Sequence, residues 1–196
     1  MFVFVSGAAR SGKSAWAERA AVALAGAGPK VYLATARVED EDMARRVERH
    51  RAMRAGKGFV TIERARGMME ILALVEPGAT VLLESLSTWA ANETFLPDGG
   101  IVGARAVERE ILASVMALRA RVRHLVIVSD DVSMDGARLD GPTEGYVRLL
   151  ARLHVALARE AGAAVEVSCG LARWAKGSCY DDGKDVVLSV RRGGRT

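Results

Sequence analysis

Cysteine is scarce in this sequence: only Cys169 and Cys179 occur, in neither a metal-ligand nor a redox spacing. The three scattered histidines add no metal constellation. A disulfide framework and a structural zinc site are therefore excluded as organising devices, and a reducing, cytoplasmic setting is expected. No apolar run reaches the roughly 20 residues that cross a bilayer, so no membrane span is expected. No signal peptide is expected either, because the first strand runs straight into a glycine loop. Aromatics make up only 5% of the chain. They form no stacking ladder among the eight Arg or Lys between Arg45 and Arg66, so that cluster suits a small anionic ligand better than a nucleic acid. Internal repeats are absent, and no linker is long enough to divide the chain.

What is present fits one domain. The 196 residues are 50% hydrophobic and 27% charged with a net charge of +4, enough apolar material for a proper core. The most informative stretch is the first. Phe2 to Val5 is a short apolar run rich in β-branched residues, and Gly7-Ala8-Ala9-Arg10-Ser11-Gly12-Lys13-Ser14 follows it. A helix-forming segment then extends to Leu24. Strand, glycine loop and helix in that order make a phosphate-binding loop. Glycines permit the backbone angles that turn amide N–H groups onto phosphate oxygens, and the helix adds its positive N-terminal end. Lys13 can reach the β- and γ-phosphates, and Ser14 can offer a hydroxyl to Mg²⁺. The expected ligand is a nucleoside triphosphate, GTP or ATP.

Strand and helix patterns alternate along the rest of the chain. Strands are expected at Lys30 to Ala34, Phe59 to Glu63, Thr80 to Glu84, His124 to Ser129 and Ala164 to Ser168. Helices are expected from the acidic stretch 39–42 to Arg54, and at Met68 to Val75, Leu86 to Phe95, Ala104 to Arg121 and Tyr146 to Ala161. Asp130 to Gly145 reads as a loop, and the segment from Ser178 as an added strand or hairpin with a turn at Asp181-Asp-Gly183. This alternation predicts a mostly parallel sheet with helices on both faces, and such sheets bind ligands at the carboxyl ends of their strands. Thr35, Glu63, Glu84 and Asp130 fall at those ends. Residues 1–176 would form the nucleotide-binding domain and 177–196 a short C-terminal extension.

On the second helix, Met43, Val47, His50 and Arg54 recur at helical spacing and share a face. Arg46 and Arg54 each stand four residues from His50, and neighbouring cations favour the neutral, nucleophilic imidazole. A solvated basic helix with a histidine at its packing edge accounts for the same pattern.

Taken together, these motifs resemble the bifunctional adenosylcobinamide kinase and adenosylcobinamide-phosphate guanylyltransferase family. Ser6-Gly-Ala-Ala-Arg-Ser-Gly-Lys-Ser14 is similar to its T-G-G-A-R-S-G-K-S, and Tyr32-Leu-Ala-Thr35 to its Y-I-A-T. Arg46-Val-Glu-Arg-His50-Arg51 resembles R-(I/V)-x-x-H-(K/R), and Thr61-Ile-Glu63 resembles T-x-E. Leu82-Leu-Glu-Ser-Leu-Ser-Thr-Trp89 is similar to L-(L/V)-(E/D)-C-(I/L)-T-x-W, with Asn92 and Phe95 also in place. The likeness is tight to about residue 95 and looser to about 176. It departs at Ser129-Asp-Asp-Val-Ser133, where the family reads S-N-E-V-G, and His154 reads as a helix-surface substitution rather than a second nucleophile.

The resemblance implies a single-domain P-loop NTPase fold and two reactions. A γ-phosphoryl group passes to adenosylcobinamide, and GMP passes through a guanylylated histidine to adenosylcobinamide phosphate, giving adenosylcobinamide-GDP. It implies catalytic roles for His50, Lys13 and Glu84, and Mg²⁺ on Ser14 and Glu84. The nucleotide would be lined by residues 7–14, Ala34, Thr35, Ala36, Arg51, Ala52, Met53, Arg54, Glu63 and Glu84. Glu84 could instead cap the helix that follows it. A homo-oligomer is implied, with a trimer among its forms, and no nucleic-acid partner. A P-loop kinase for another small molecule, or a nucleotide-gated regulatory protein, remains the competing interpretation of the residues alone.

Overall fold

The structure is a computed structural model and describes residues 1–37, 41–132, 141–181 and 186–189. The expected acidic start at Glu39 and Asp40, the loop residues 133–138, the turn at Gly183 and the end of the tail lie outside these.

Seven strands form one sheet: β1 (Phe2–Gly7), β2 (Lys30–Ala34), β3 (Phe59–Glu63), β4 (Thr80–Glu84), β5 (His124–Asp130), β6 (Ala163–Ser168) and β7 (Leu171–Lys176). Their order across the sheet is β3-β2-β4-β5-β1-β6-β7. All pairs are parallel except β6 with β7. The inner strands β1, β2, β4, β5 and β6 read as near-continuous apolar runs because both their faces are covered. Phe2 and Phe4 of β1 enter one core with residues of α3 (Leu86–Thr94), α4 (Ala104–Arg121) and α5 (Pro142–Glu160). Val3 and Val5 enter the other, beneath Trp16, Ala17, Ala20 and Ala21 of α1 (Lys13–Ala25). The remaining helix, α2 (Glu41–Arg54), joins β2 to β3.

Four details depart from the sequence pattern, each for a local reason. Met68–Leu74 is a 3-10 helix, between Gly67 at φ 63° and Pro77. Its two buried residues, Met68 and Ile71, stand three apart, the spacing that eclipses in a 3-10 turn. Helix α5 begins at Pro142, four residues before the expected Tyr146, because proline suits the first helical position. β5 runs one residue past Ser129, pairing Asp130 with Gly7. β7 was not expected at all. It returns antiparallel through Cys169 (φ 51°) and Gly170 (φ 79°), a two-residue turn with both angles positive. Beyond it, β8 (Ser178–Asp181) and β9 (Val186–Ser189) form the expected hairpin, with β9 against α1.

His154 is not a surface substitution. It is half-buried, with Nε2 2.8 Å from the Ser129 hydroxyl and its ring edge-on to Phe4 at 5.2 Å. No helix among the described residues is long and apolar enough to cross a membrane.

Candidate active site

The site begins at a backbone requirement. A Cβ on Gly7 would stand 2.4 Å from the Val167 carbonyl oxygen and 2.7 Å from Ser11 Oγ, so β1 must end on glycine. Gly12 sits at φ 91° immediately before α1, and Arg10 holds φ 61°, an uncommon angle for a residue with a side chain. The loop is tied from outside: the Gly170 N–H donates to the Ser11 carbonyl at 2.8 Å, and the Asp131 N–H to the Gly7 carbonyl at 3.0 Å. With these carbonyls engaged, the loop and the first turn of α1 form a concave anion seat. The β6–β7 turn is thus part of the phosphate loop's support.

Lys13 is buried, at 4% exposure, and its ammonium stands 2.6 Å from Asp130 Oδ1 and donates to the Ala8 carbonyl at 3.2 Å. Ser14 donates its hydroxyl to Glu84 Oε1. That contact spans the sheet, because β5 separates β4 from β1 and α1 lies across both β4 and β5. Two strand-end carboxylates therefore meet the phosphate loop, Glu84 at its hydroxyl and Asp130 at its lysine. Glu84 is not the helix cap. Ser85 caps α3, accepting from the Thr88 N–H.

Beside this pair opens a cleft lined by Lys13, Glu84 and Asp130 together with Ala34, Ala36, Arg51, Arg54, Glu63 and Tyr32. Arg54 is buried, and its guanidinium lies 3.4 Å from the centre of the Tyr32 ring. Burial, and then the Glu84 carboxylate beside it, pushes the Tyr32 phenol well above its ordinary range, with Arg54 opposing. Arg51 pairs with Glu63 at 2.6 Å, and this hydrogen bond raises the Arg51 pKa. Each cation of the cleft is thus already matched to a carboxylate or a ring.

The family description cobinamide kinase / cobinamide phosphate guanyltransferase matches residues 3–174. The chain belongs to this family. It is 35% identical over 144 residues to the bifunctional adenosylcobalamin biosynthesis protein CobU of Escherichia coli strain K12, covering 68% of this chain and 77% of that one. The protein of the same name from Salmonella typhimurium is 32% identical over the same shares. The bifunctional adenosylcobalamin biosynthesis protein CobP of Pseudomonas aeruginosa is 32% identical over 79% of this chain and 85% of its own. The protein is an enzyme of this cobalamin-biosynthesis family, with a P-loop nucleotide site.

Within this cobinamide kinase and guanyltransferase family member, the expected site residues fall into three groups. Gly7, Ser11, Gly12, Lys13, Ser14 and Glu84 meet at the phosphate loop, with Ala8, Ala9 and Arg10 exposed along it. Ala34, Ala36, Arg51, Arg54 and Glu63 line the cleft. Thr35 and Ala52 do not. Thr35 is fully buried behind the wall, where its hydroxyl donates to the Ser85 carbonyl at 2.9 Å and accepts the Ser85 N–H at 2.8 Å. Ala52 is exposed on α2. His50 and Met53 belong to α2, but their side chains lie outside the described residues. Asn92 holds the wall from behind, donating to the carbonyls of Thr35 at 2.9 Å and Ala65 at 3.3 Å.

Asp130, expected at a ligand-binding strand end, lines the cleft, whereas Tyr32, Val47, Thr61, Ser85 and Thr88 line it without having been assigned to it from sequence. For two of them a signal existed. Tyr32 precedes Ala34 by two, and Thr61 precedes Glu63 by two, so each shares a strand face with an expected site residue. They are also direct partners across β2 and β3.

Magnesium is implied by the P-loop rather than seen. The described residues contain no group of three or more His, Cys, Asp or Glu able to hold a metal by themselves. Ser14 and Glu84 offer a hydroxyl and a carboxylate in mutual contact. That oxygen set fits Mg²⁺, which takes one or two protein ligands and completes its shell with phosphates and water.

Proposed function

We propose that the enzyme performs both family reactions at this one cleft. In the first, the γ-phosphoryl group of GTP or ATP passes to the aminopropanol hydroxyl of adenosylcobinamide. In the second, the α-phosphate of GTP is attacked by His50, pyrophosphate leaves, and GMP then passes to adenosylcobinamide phosphate. The loop backbone from Gly7 to Gly12 and the Lys13 ammonium neutralise phosphate charge as it develops on the leaving group. Ser14 and Glu84 would hold Mg²⁺, which when bound supplies further charge neutralisation on the phosphates. A covalent phosphoramidate on His50 splits a difficult displacement into two easier ones. Arg51 and Arg54 grip phosphate oxygens by charge-assisted hydrogen bonds, with Ala34, Ala36 and Glu63 as walls and Thr35, Ala52 and Met53 as support.

One observation carries the reading. The phosphate loop and the end of α2, the helix that bears His50, open on the same cleft: Lys13, Arg51 and Arg54 all line it. The reading extends, on resemblance, to a cytoplasmic homo-oligomer, a trimer, which light scattering would test. For the chemistry, intact mass is measured after incubation with GTP and Mg²⁺. A GMP adduct is expected that is absent in His50→Ala, stable in base and lost in acid. Full labelling of His50→Ala, or an acid-stable label, would remove His50 from the mechanism.

A further inference from the structure

The phosphate-loop lysine of this chain is matched to a carboxylate of its own chain. Lys13 is buried, and its ammonium stands 2.6 Å from Asp130 Oδ1, with the Ala8 carbonyl as a second acceptor at 3.2 Å. That carboxylate is held in place from its other side. Oδ2 accepts the Ser87 hydroxyl at 2.8 Å, and the Asp130 N–H donates to Ser87 Oγ at 3.2 Å. Ser87 is itself buried in the first turn of α3, and its carbonyl accepts the Tyr146 hydroxyl of α5 at 2.9 Å. Two helices therefore keep the carboxylate at the lysine.

A nucleoside di- or triphosphate needs the same ammonium on its β- and γ-phosphates. Lys13 must then exchange one charge-assisted contact for another, which gains less than turning from neutral acceptors would. The carboxylate also stays near the phosphates, where like charges repel. Both effects oppose binding. The compensation lies in the fold. A buried ammonium with only the Ala8 carbonyl to receive it would be costly, and Asp130 removes that cost. The chain differs here from the family motif S-N-E-V-G, which has a neutral amide at this position.

We propose that Asp130 is a specificity-setting residue, a built-in counter-ion that competes with the β- and γ-phosphates for Lys13. It weakens di- and triphosphate binding relative to monophosphate binding, and it stabilises the unliganded fold. This rests on the nucleotide reading of the cleft and on neither transfer reaction. The competition is confined to the phosphates that Lys13 reaches, so a nucleoside monophosphate escapes it. Asparagine at position 130 isolates the charge because the frame accepts it. The amide oxygen can face Lys13 while the amide NH2 donates to Ser87 Oγ. The Ser87 hydroxyl can then donate to Ser85 Oγ, 3.0 Å away.

The experiment measures GTP, GDP and GMP affinity by calorimetry with Mg²⁺ present, and the melting temperature of the unliganded protein. It compares wild type, Asp130→Asn and Ser87→Ala. In Asp130→Asn, GTP and GDP should bind about five- to thirty-fold more tightly, while GMP affinity holds. The unliganded melting temperature should fall by about 2–4 °C. Ser87→Ala keeps the carboxylate but loosens its frame, so it should tighten GTP and GDP binding by less. Unchanged or weakened GTP and GDP binding in Asp130→Asn overturns the inference and leaves the nucleotide reading standing. Equal tightening of all three nucleotides also overturns it, because the effect would then be general charge and not competition for Lys13. A melting temperature that does not fall overturns the stabilising role of the pair. If Asp130→Asn does not fold, Ser87→Ala decides, and unchanged or weakened GTP binding there overturns the inference. A wild type that binds none of the three removes the nucleotide reading and this inference with it.

Discussion

Arg54→Lys keeps the positive charge at the end of α2 and removes the planar guanidinium that lies 3.4 Å from the Tyr32 ring centre. An ammonium on a flexible stem cannot stack in that way. A desolvated cation–ring contact is worth about 0.5–2 kcal/mol. At this chain length, a loss of that size shifts the melting temperature by about 2–4 °C per kcal/mol if it falls on global stability. Helix α2 is strongly polar, however, and among the described residues its end is tied to the rest by polar and ring contacts. These are the Arg54–Tyr32 stack, the Arg51–Glu63 pair, and the Lys57–Glu18 pair just beyond the helix. Part of the loss should then appear as local release of α2 rather than as global unfolding. The melting shift should be at the low end of its range, and guanylyl labelling should fall about five- to thirty-fold, the population change that one or two kcal/mol produces. Differential scanning fluorimetry and a labelling time course read the two separately. Tyr32→Leu should reproduce the labelling loss, and the double variant should lose no more than either alone, because both remove the same contact. Wild-type labelling in Arg54→Lys would refute the idea that this stack holds the histidine's helix in place.

Three further outcomes follow from the same geometry. Lys13→Ala removes a charge-assisted contact worth about 1.5–3 kcal/mol, so GTP should bind about ten- to a hundred-fold more weakly in calorimetry; near-normal affinity would sink the P-loop assignment. Glu84→Gln should raise the Mg²⁺ concentration needed for turnover in both reactions more than it weakens nucleotide affinity, and an unchanged Mg²⁺ titration would leave Glu84 a structural role only. Burial holds the His154 imidazole below its ordinary value, against the pull of Asp131 and Asp130. Between the lower folded value and the unfolded one near 6.5, the unfolded chain binds the extra proton. His154 therefore contributes fully above about pH 6.5, and that contribution is lost as pH falls through the folded value. Thermal unfolding at neutral and acidic pH should show a shallower pH dependence for His154→Gln than for wild type, and equal slopes would contradict this.

The parts of the site that could be read in the sequence are those whose physics is local. Gly7, Gly12, Lys13 and Ser14 lie within one strand–loop–helix unit, and glycine is required there by a close approach and by a positive φ. Glu84 was legible through a rule about strand ends, although its contact with Ser14 crosses an intervening strand. Thr35 obeys the same rule, yet its hydroxyl turns to the Ser85 backbone, and a strand-end position alone cannot separate those outcomes. β7 escaped because its turn carries Cys169 at φ 51°, where the usual hairpin signal is Asn or Asp before Gly. Its alternation was also disguised by Leu171 on the exposed side. His154 misled in the opposite direction. A polar residue on an amphipathic helix reads as surface, but here the Ser129 hydroxyl and the edge of Phe4 receive it.

The charges of the cleft explain why these contacts matter together. Lys13, Arg51 and Arg54 face the ligand space, and each is held by something the nucleotide must compete with: Asp130, Glu63 and the Tyr32 ring. A partly buried cation without a partner is costly, so an empty phosphate site built from bare cations would weaken the fold. Pairing them internally removes that cost and leaves the nucleotide to exchange partners rather than to supply the first one.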